Sequence, residues 1–177
     1  MKLDRFDKII ISLLALSVLG FALLTLRALP GKTTAIETRN MERELSDQAR
    51  MTLLDKLFSP VTAAMQAGQY QEALLKLEEV NVRYPGEAHG FILKGEILEK
   101  MGVADKAAAS FVKGIKLNGD YIDRRSPVTR RELVGKIVDS QLPAATARYR
   151  SAPGNPTMKE NLANLNYLKS RLAGGCE

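Results

Sequence analysis

The stretch from Gly68 to Gly114 constrains this chain most, because it repeats itself. Gly68-Gln69-Tyr70-Gln71-Glu72-Ala73 recurs 34 residues later as Gly102-Val103-Ala104-Asp105-Lys106-Ala107. The same offset carries Leu77 onto Phe111 and Val80 onto Gly114, and, backwards, Leu57 onto Phe91 and Ala64 onto Leu98. Self-similarity at one fixed period marks a stack in which each unit is a single supersecondary element. Each unit reads as two helices joined by a tight turn at the glycine. Gly68 and Gly102 sit where the first helix must stop and the chain reverse, a position that favours left-handed backbone angles. Ala73 and Ala107 are small enough for the two helices to approach, and Leu77 and Phe111 lie one turn further on, filling the groove between neighbours. Pro85 ends the second helix of the first unit, with Gly119 at the corresponding place in the second. Such a pair cannot bury its apolar face alone and must stack on another pair or on a flanking helix.

The second copy resembles the tetratricopeptide repeat. Phe91 stands where that family often has Trp, Gly95 is the small residue inside the first helix, and Leu98 takes a common Tyr site. Gly102, Ala107, Phe111 and Gly114 complete the match. The first copy carries Leu57, Ala64, Gly68, Tyr70, Ala73, Leu77, Val80 and Pro85, and departs from the family at Pro60 and Val61. Ser59-Pro60 offers an alternative start for its first helix, as cap and first helical residue. The resemblance covers residues 54–119. It implies a solenoid of helical hairpins that binds other proteins on a concave side lined by the first helix of each pair. Aligned this way, that surface holds Asp55, Phe58, Thr62, Met65, His89, Ile92, Glu96 and Glu99. The Lys and Asn with which some arrays of the family grip a peptide carboxylate are missing there. A mixed apolar and acidic groove suits an apolar or basic segment. The competing reading is that, with two repeats only, the chain's own flanking helices cover this surface.

Ahead of the repeats, Ile9 to Leu26 is an uncharged run of 18 residues. As a helix it would measure ~27 Å, close to the hydrocarbon thickness of a bilayer. No clean Ala-x-Ala site follows it, and Arg27 falls in the expected cleavage zone, so the expectation is an uncleaved single-pass anchor over 9–29. Lys2, Arg5 and Lys8 precede the run and Arg27, Lys32, Arg39 and Arg43 follow it, so the basic residues give no decisive asymmetry. A short basic tail at 1–8 usually stays in the cytoplasm, which would set the repeats in a bacterial periplasm beyond the inner membrane. Ser12, Ala15 and Ala22 share one arc of this helix, where small residues allow close helix approach. Pro30-Gly31 breaks the chain, and Thr33-Thr34 can cap a spacer helix over 36–57, in a linker assigned to 30–53. Its apolar residues, Met41, Leu45, Ala49, Leu53 and Leu57, recur every four positions. That is a drifting stripe rather than a heptad seam, so the spacer is expected to lie against the first repeat rather than dimerise.

Beyond the repeats, residues 121–150 carry seven basic residues against three acids, 7 − 3 = +4 of a net charge of +6. The basic patch is densest at Arg124, Arg125, Arg130 and Arg131. Ser126-Pro127 reads as cap and first residue of a helix reaching Leu142 and stopped by Pro143, within a basic segment at 120–152. Three partners suit the patch beside plain solvent: anionic headgroups of a lipid bilayer, an acidic surface on a protein, or phosphates. Nucleic acid is set aside, because no aromatic residues interleave with the basic ones. After the turn-rich Ala152 to Pro156, Met158, Leu162, Leu165, Leu168 and Leu172 form the strongest helical stripe outside the expected membrane segment. It is expected to cap the open end of the array over 153–177.

A catalytic site needs a nucleophile, base or metal gathered in a pocket. The chain has one His, His89, and one Cys, Cys176. Neither sits in a local signature, there is no glycine-rich phosphate loop, and no metal or cofactor motif occurs. Cys176 reads as a free thiol near the chain's end. The expected fold is therefore all-α: a transmembrane helix, a small helical-hairpin solenoid and a capping helix. The expected function is non-enzymatic, a membrane-tethered scaffold or assembly factor of the cell envelope. The alternative is an accessory subunit of a multi-subunit membrane complex.

Overall fold

Glycines, prolines and short polar caps cut the chain into helices. The computed structural model describes residues 5–28 and 32–174, with the side chains of 5–12, 26–28, 32–37 and 43 outside the description. Among the described residues there are seven α-helices, a single 3-10 turn and no strand. They are α1 (Arg5–Ala28), α2 (Lys32–Gln66), α3 (Tyr70–Arg83), α4 (Ala88–Lys100) and α5 (Ala104–Leu117), then the turn Gly119–Tyr121, α6 (Arg131–Ser151) and α7 (Pro156–Leu172). The Pro30-Gly31 break, the flanking Lys2, Arg5, Lys8, Arg27 and Lys32 side chains, the Thr33-Thr34 cap and Cys176 lie outside the described residues. The chain divides into two units, Met1–Gln48 and Ala49–Glu177.

The first unit corrects the membrane expectation. Among the described residues, no helix is long and apolar enough to cross a membrane. The described apolar side chains of α1 run over 13–25 and are exposed throughout, Leu13, Leu16, Phe21 and Leu24 among them. The single-pass anchor, the bacterial inner-membrane location and the periplasmic placement of the repeats fall together. The spacer expectation changes too. There is no separate spacer, because α2 continues from Lys32 through Pro60 to Gln66. Pro60 neither starts nor ends a helix. It removes one ladder hydrogen bond, and burial of its neighbours Phe58 and Val61 holds the helix together across the gap. The buried face of α2 is Leu54, Phe58, Val61 and Ala64, whereas Met41, Leu45 and Leu53 of the four-apart stripe are exposed.

In the second unit, the two glycine turns are built alike. Gly68 has φ 73° and Gly102 has φ 77°. At the first turn the Gly68 N–H donates to the Met65 carbonyl and the Gln69 N–H to the Ala64 carbonyl. At the second, Gly102 donates to Glu99 and Val103 to Leu98. This crossed pair, closing 5→2 and 6→1 rings, satisfies the last carbonyls of a helix and reverses the chain. The match continues for a full helix, since the N–H of Ala73 bonds Gln69 as that of Ala107 bonds Val103. At the far ends Tyr84 bonds Val80 as Asn118 bonds Gly114.

These hairpins bury two clusters that meet on α4. One joins Leu54, Phe58, Val61 and Ala64 of α2, Ala73 and Leu77 of α3, and Leu93 and Ile97 of α4. The other joins Ile92 and Leu98 of α4, Ala107, Phe111 and Ile115 of α5, Val134, Ile137 and Val138 of α6, and Leu165 and Leu168 of α7. A helix buried along most of its length is a central one, and α4 is that helix here. The final helix opens as its sequence implies: the Asn155 side chain accepts the N–H groups of Thr157 and Met158 at 3.0 and 3.3 Å, with Pro156 at the first position. Leu165 and Leu168 are fully buried against the second cluster. Asn161 reinforces the docking by donating 2.7 Å to Asp105 at the start of α5.

The basic segment departs from expectation. No helix starts at Ser126-Pro127. Residues 118–130 form successive side-chain-capped turns. Asn118 accepts the N–H of Asp120, Asp123 that of Arg125, and Ser126 that of Val128. Ser, Asn and Asp compete with helix formation by this local bonding. α6 begins only at Arg131, and it continues past Pro143 to Ser151.

Candidate functional site

The residues expected on the concave side separate into two groups. Phe58, His89 and Ile92 are buried, so they are packing residues. Thr62, Met65, Glu96 and Glu99 are half-buried and Asp55 is exposed. The difference follows from the 118–130 segment, which folds back over the second hairpin. The Tyr121 hydroxyl and His89 Nδ1 share a 2.9 Å hydrogen bond, and the Phe58 ring meets the His89 ring edge-on at 5.0 Å. Burial drives the His89 pKa down to about 4, helped by the Arg130 guanidinium and opposed by Glu87 and Asp55. The ring is therefore neutral at pH 7. Burial also raises the Tyr121 hydroxyl to about 12, with Glu87 adding to it. Seven positions along α4, Glu96 takes a 2.6 Å bond from Arg130 Nε, while the other end of that guanidinium caps the carbonyls of Val128 and Thr129. Arg50 bridges Glu87 and Asp120 at 3.9 Å each. At His89 and Glu96 the first-helix face of the second hairpin is thus occupied by the chain itself. Over the first hairpin, Asp55, Thr62 and Met65 remain open.

The four arginines of the basic patch also separate. Arg130 is committed to Glu96. Arg131 donates to the Ile122 carbonyl at 3.3 Å and to the Leu172 carbonyl. The second bond closes the C-terminus of α7, where the last carbonyls have no partner within their own helix. Arg124 and Arg125 are exposed, and among the described residues neither side chain has a hydrogen bond or ion pair. Together with Arg131, and with Arg171 from the last turn of α7, they line a cavity of about 700 Å³ that Asp123, Ala173 and Gly174 also line. A second cavity of about 590 Å³ shares Arg124, Arg131 and Leu172 with the first. It adds Lys169 beside Glu132 and Asp139.

Arg171 and Lys169 were not legible as members of this site. In the sequence they are the basic residues that a helix C-terminus favours. Only the docking of α7 beside the 118–130 turns brings them to Arg124. No group of His, Cys, Asp and Glu side chains able to hold a metal occurs among the described residues. No protein-family model matches the chain, and no similar protein was found among curated sequences.

Proposed function

We propose that this chain is a non-enzymatic protein-binding scaffold, built from stacked helix pairs of the tetratricopeptide kind. The observation that carries the reading is the 34-residue correspondence of backbone hydrogen bonds, from the glycine turns to the ends of the second helices. Two equivalent hairpins side by side form a short array whose first-helix face stays open on the first hairpin, a geometry suited to docking a segment of another protein. The only histidine supports it as well. A neutral, buried ring held by Tyr121 and Phe58 is a poor general base at pH 7, because its pKa lies far below the working range.

Docking would use the uncovered part of the first-helix face, around Thr62 and Met65, and the half-buried Glu99. The test is a photo-reactive residue placed singly at Thr62 or Glu99, with Glu79 on the outer side of α3 as control, in cells that make the full chain. The expected result is one discrete adduct from the first two positions, lost when the cells carry Met65→Glu as well. Equal labelling from Glu79, or no adduct from any position, overturns the scaffold.

A further inference from the structure

From the arginine-lined groove beside the C-terminus of α7 we infer that the chain takes an acidic peptide segment of a partner protein. The inference rests on the reading that the chain works by binding other proteins, and it adds a second site with its own chemistry. Four arginines, Arg124, Arg125, Arg131 and Arg171, line a cavity in which Asp123 is the one acidic residue among the described residues. Guanidinium forks match carboxylates through paired N–H donors, which a lysine ammonium cannot reproduce. Arg131 is fixed in place by its bonds to the Ile122 and Leu172 carbonyls. Arg124 and Arg125 stand ready beside it, and Asp123 spends one oxygen on the Arg125 N–H rather than on either guanidinium.

Size and charge decide between ligands. The cavity, about 700 Å³, shares Arg124, Arg131 and Leu172 with a second of about 590 Å³; it is far larger than a single anion needs and falls in the size range of ligand sites. Glu132 and Asp139 lie along the second cavity with Lys169. A segment with carboxylates at one end and mixed charge at the other fits that gradient. A nucleic acid does not, because its evenly charged backbone would meet those acids, and among the described residues no aromatic ring lines either cavity to stack a base.

The test is fluorescence anisotropy of the full chain with a fluorescein-labelled oligoglutamate peptide, against oligoglutamine of equal length and single-stranded oligothymidylate. Oligoglutamate should bind and oligoglutamine should not. The Arg124→Glu/Arg125→Glu variant should weaken binding at least about tenfold, the worth of one charge-assisted hydrogen bond. The Lys113→Glu/Lys159→Glu variant, which changes net charge equally on exposed sites elsewhere, should lose far less. Equal loss in the two variants, no binding of oligoglutamate, or tighter binding of oligothymidylate overturns the inference. An adduct at Thr62 without oligoglutamate binding removes this groove and leaves the scaffold standing. Binding here without any adduct does the reverse.

Discussion

The two hairpins share a backbone but divide their volume differently. In the first, Val61 of α2 and Leu77 of α3 occupy the positions held by Gly95 of α4 and Phe111 of α5 in the second. Phe58 and Val80 of the first likewise correspond to Ile92 and Gly114. The first pair trades size across the interface, medium against medium in one copy and large against nothing in the other, whereas the second pair is smaller at both positions in the second copy. The second hairpin leaves no slack. A methyl group added at Gly95 would stand 2.9 Å from the Phe111 ring, and one at Gly114 would stand 2.7 Å from Ile92 Cδ1. Interiors packed to crystal density respond to the addition of even one methyl group. The repeat therefore keeps a turn and a close helix contact rather than a residue list. The polar faces differ as well. Asp55 and Thr62 look outward on the first hairpin, whereas their counterparts His89 and Glu96 are held by Tyr121 and Arg130.

The sharpest way to break the comparison is to move one copy's packing into the other. Gly95→Val alone should destabilise the chain by about 3 kcal/mol, because the Phe111 ring has nowhere to go. Adding Phe111→Leu, which recreates the first hairpin's pair, should recover at least about 1 kcal/mol of that loss, a coupling that denaturant titration of the single and double variants can measure. Strictly additive effects would mean that the two hairpins do not share a packing rule.

The covered polar face predicts a pH effect specific to the second hairpin. A folded-state pKa of about 4 for His89 lies below its ordinary 6.5. The unfolded chain therefore binds more protons between these values, and stability rises with pH. The stabilisation is complete above about pH 6.5 and is lost as pH falls through that value towards 4. At pH 4.5 the chain should be weaker than at pH 7 by roughly 2 to 3 kcal/mol through this group. His89→Gln should remove that part of the pH dependence. The same slope in both proteins would assign it to carboxylates instead.

Smaller effects should be equal in the two copies. Ala73 and Ala107 are both fully buried, so Ala73→Leu and Ala107→Leu should each cost about 2 kcal/mol by wedging the helices apart. Unchanged thermal stability in both would count against close packing at these alanines. Gly68→Ala and Gly102→Ala face open space, so the left-handed backbone alone sets the cost, about 1 kcal/mol each. A difference larger than that between the two glycine variants would mean that the turns are not equivalent.

Much of the fold was legible because it rests on local chemistry. The glycine turns, the Asn155-Pro156 start and the Leu165/Leu168 stripe each needed only neighbours in sequence. Ser126-Pro127 misled for the same reason. Its local bonding makes a turn as readily as a helix cap, and the bond from the Arg130 N–H to the Tyr121 carbonyl at 2.7 Å favours the turn. Pro60 and Pro143 misled in the opposite sense, since a helix held by buried side chains on both sides outlasts one missing hydrogen bond. The 18-residue apolar run was read as a membrane anchor from hydropathy alone, and no helix among the described residues meets the length and apolarity that crossing requires.

Sequence by itself determined the helical class, the 34-residue period and the places where each hairpin reverses, because steric limits on φ and the loss of helix carbonyl partners act within a few residues. Only the tertiary structure decided which polar residues stay available. Burial of His89 under Tyr121, capture of Glu96 by Arg130 and the meeting of Arg171 with Arg124 all join residues far apart along the chain. Their exposure and charge environment are properties of what packs beside them, and spacing in a sequence carries no record of that.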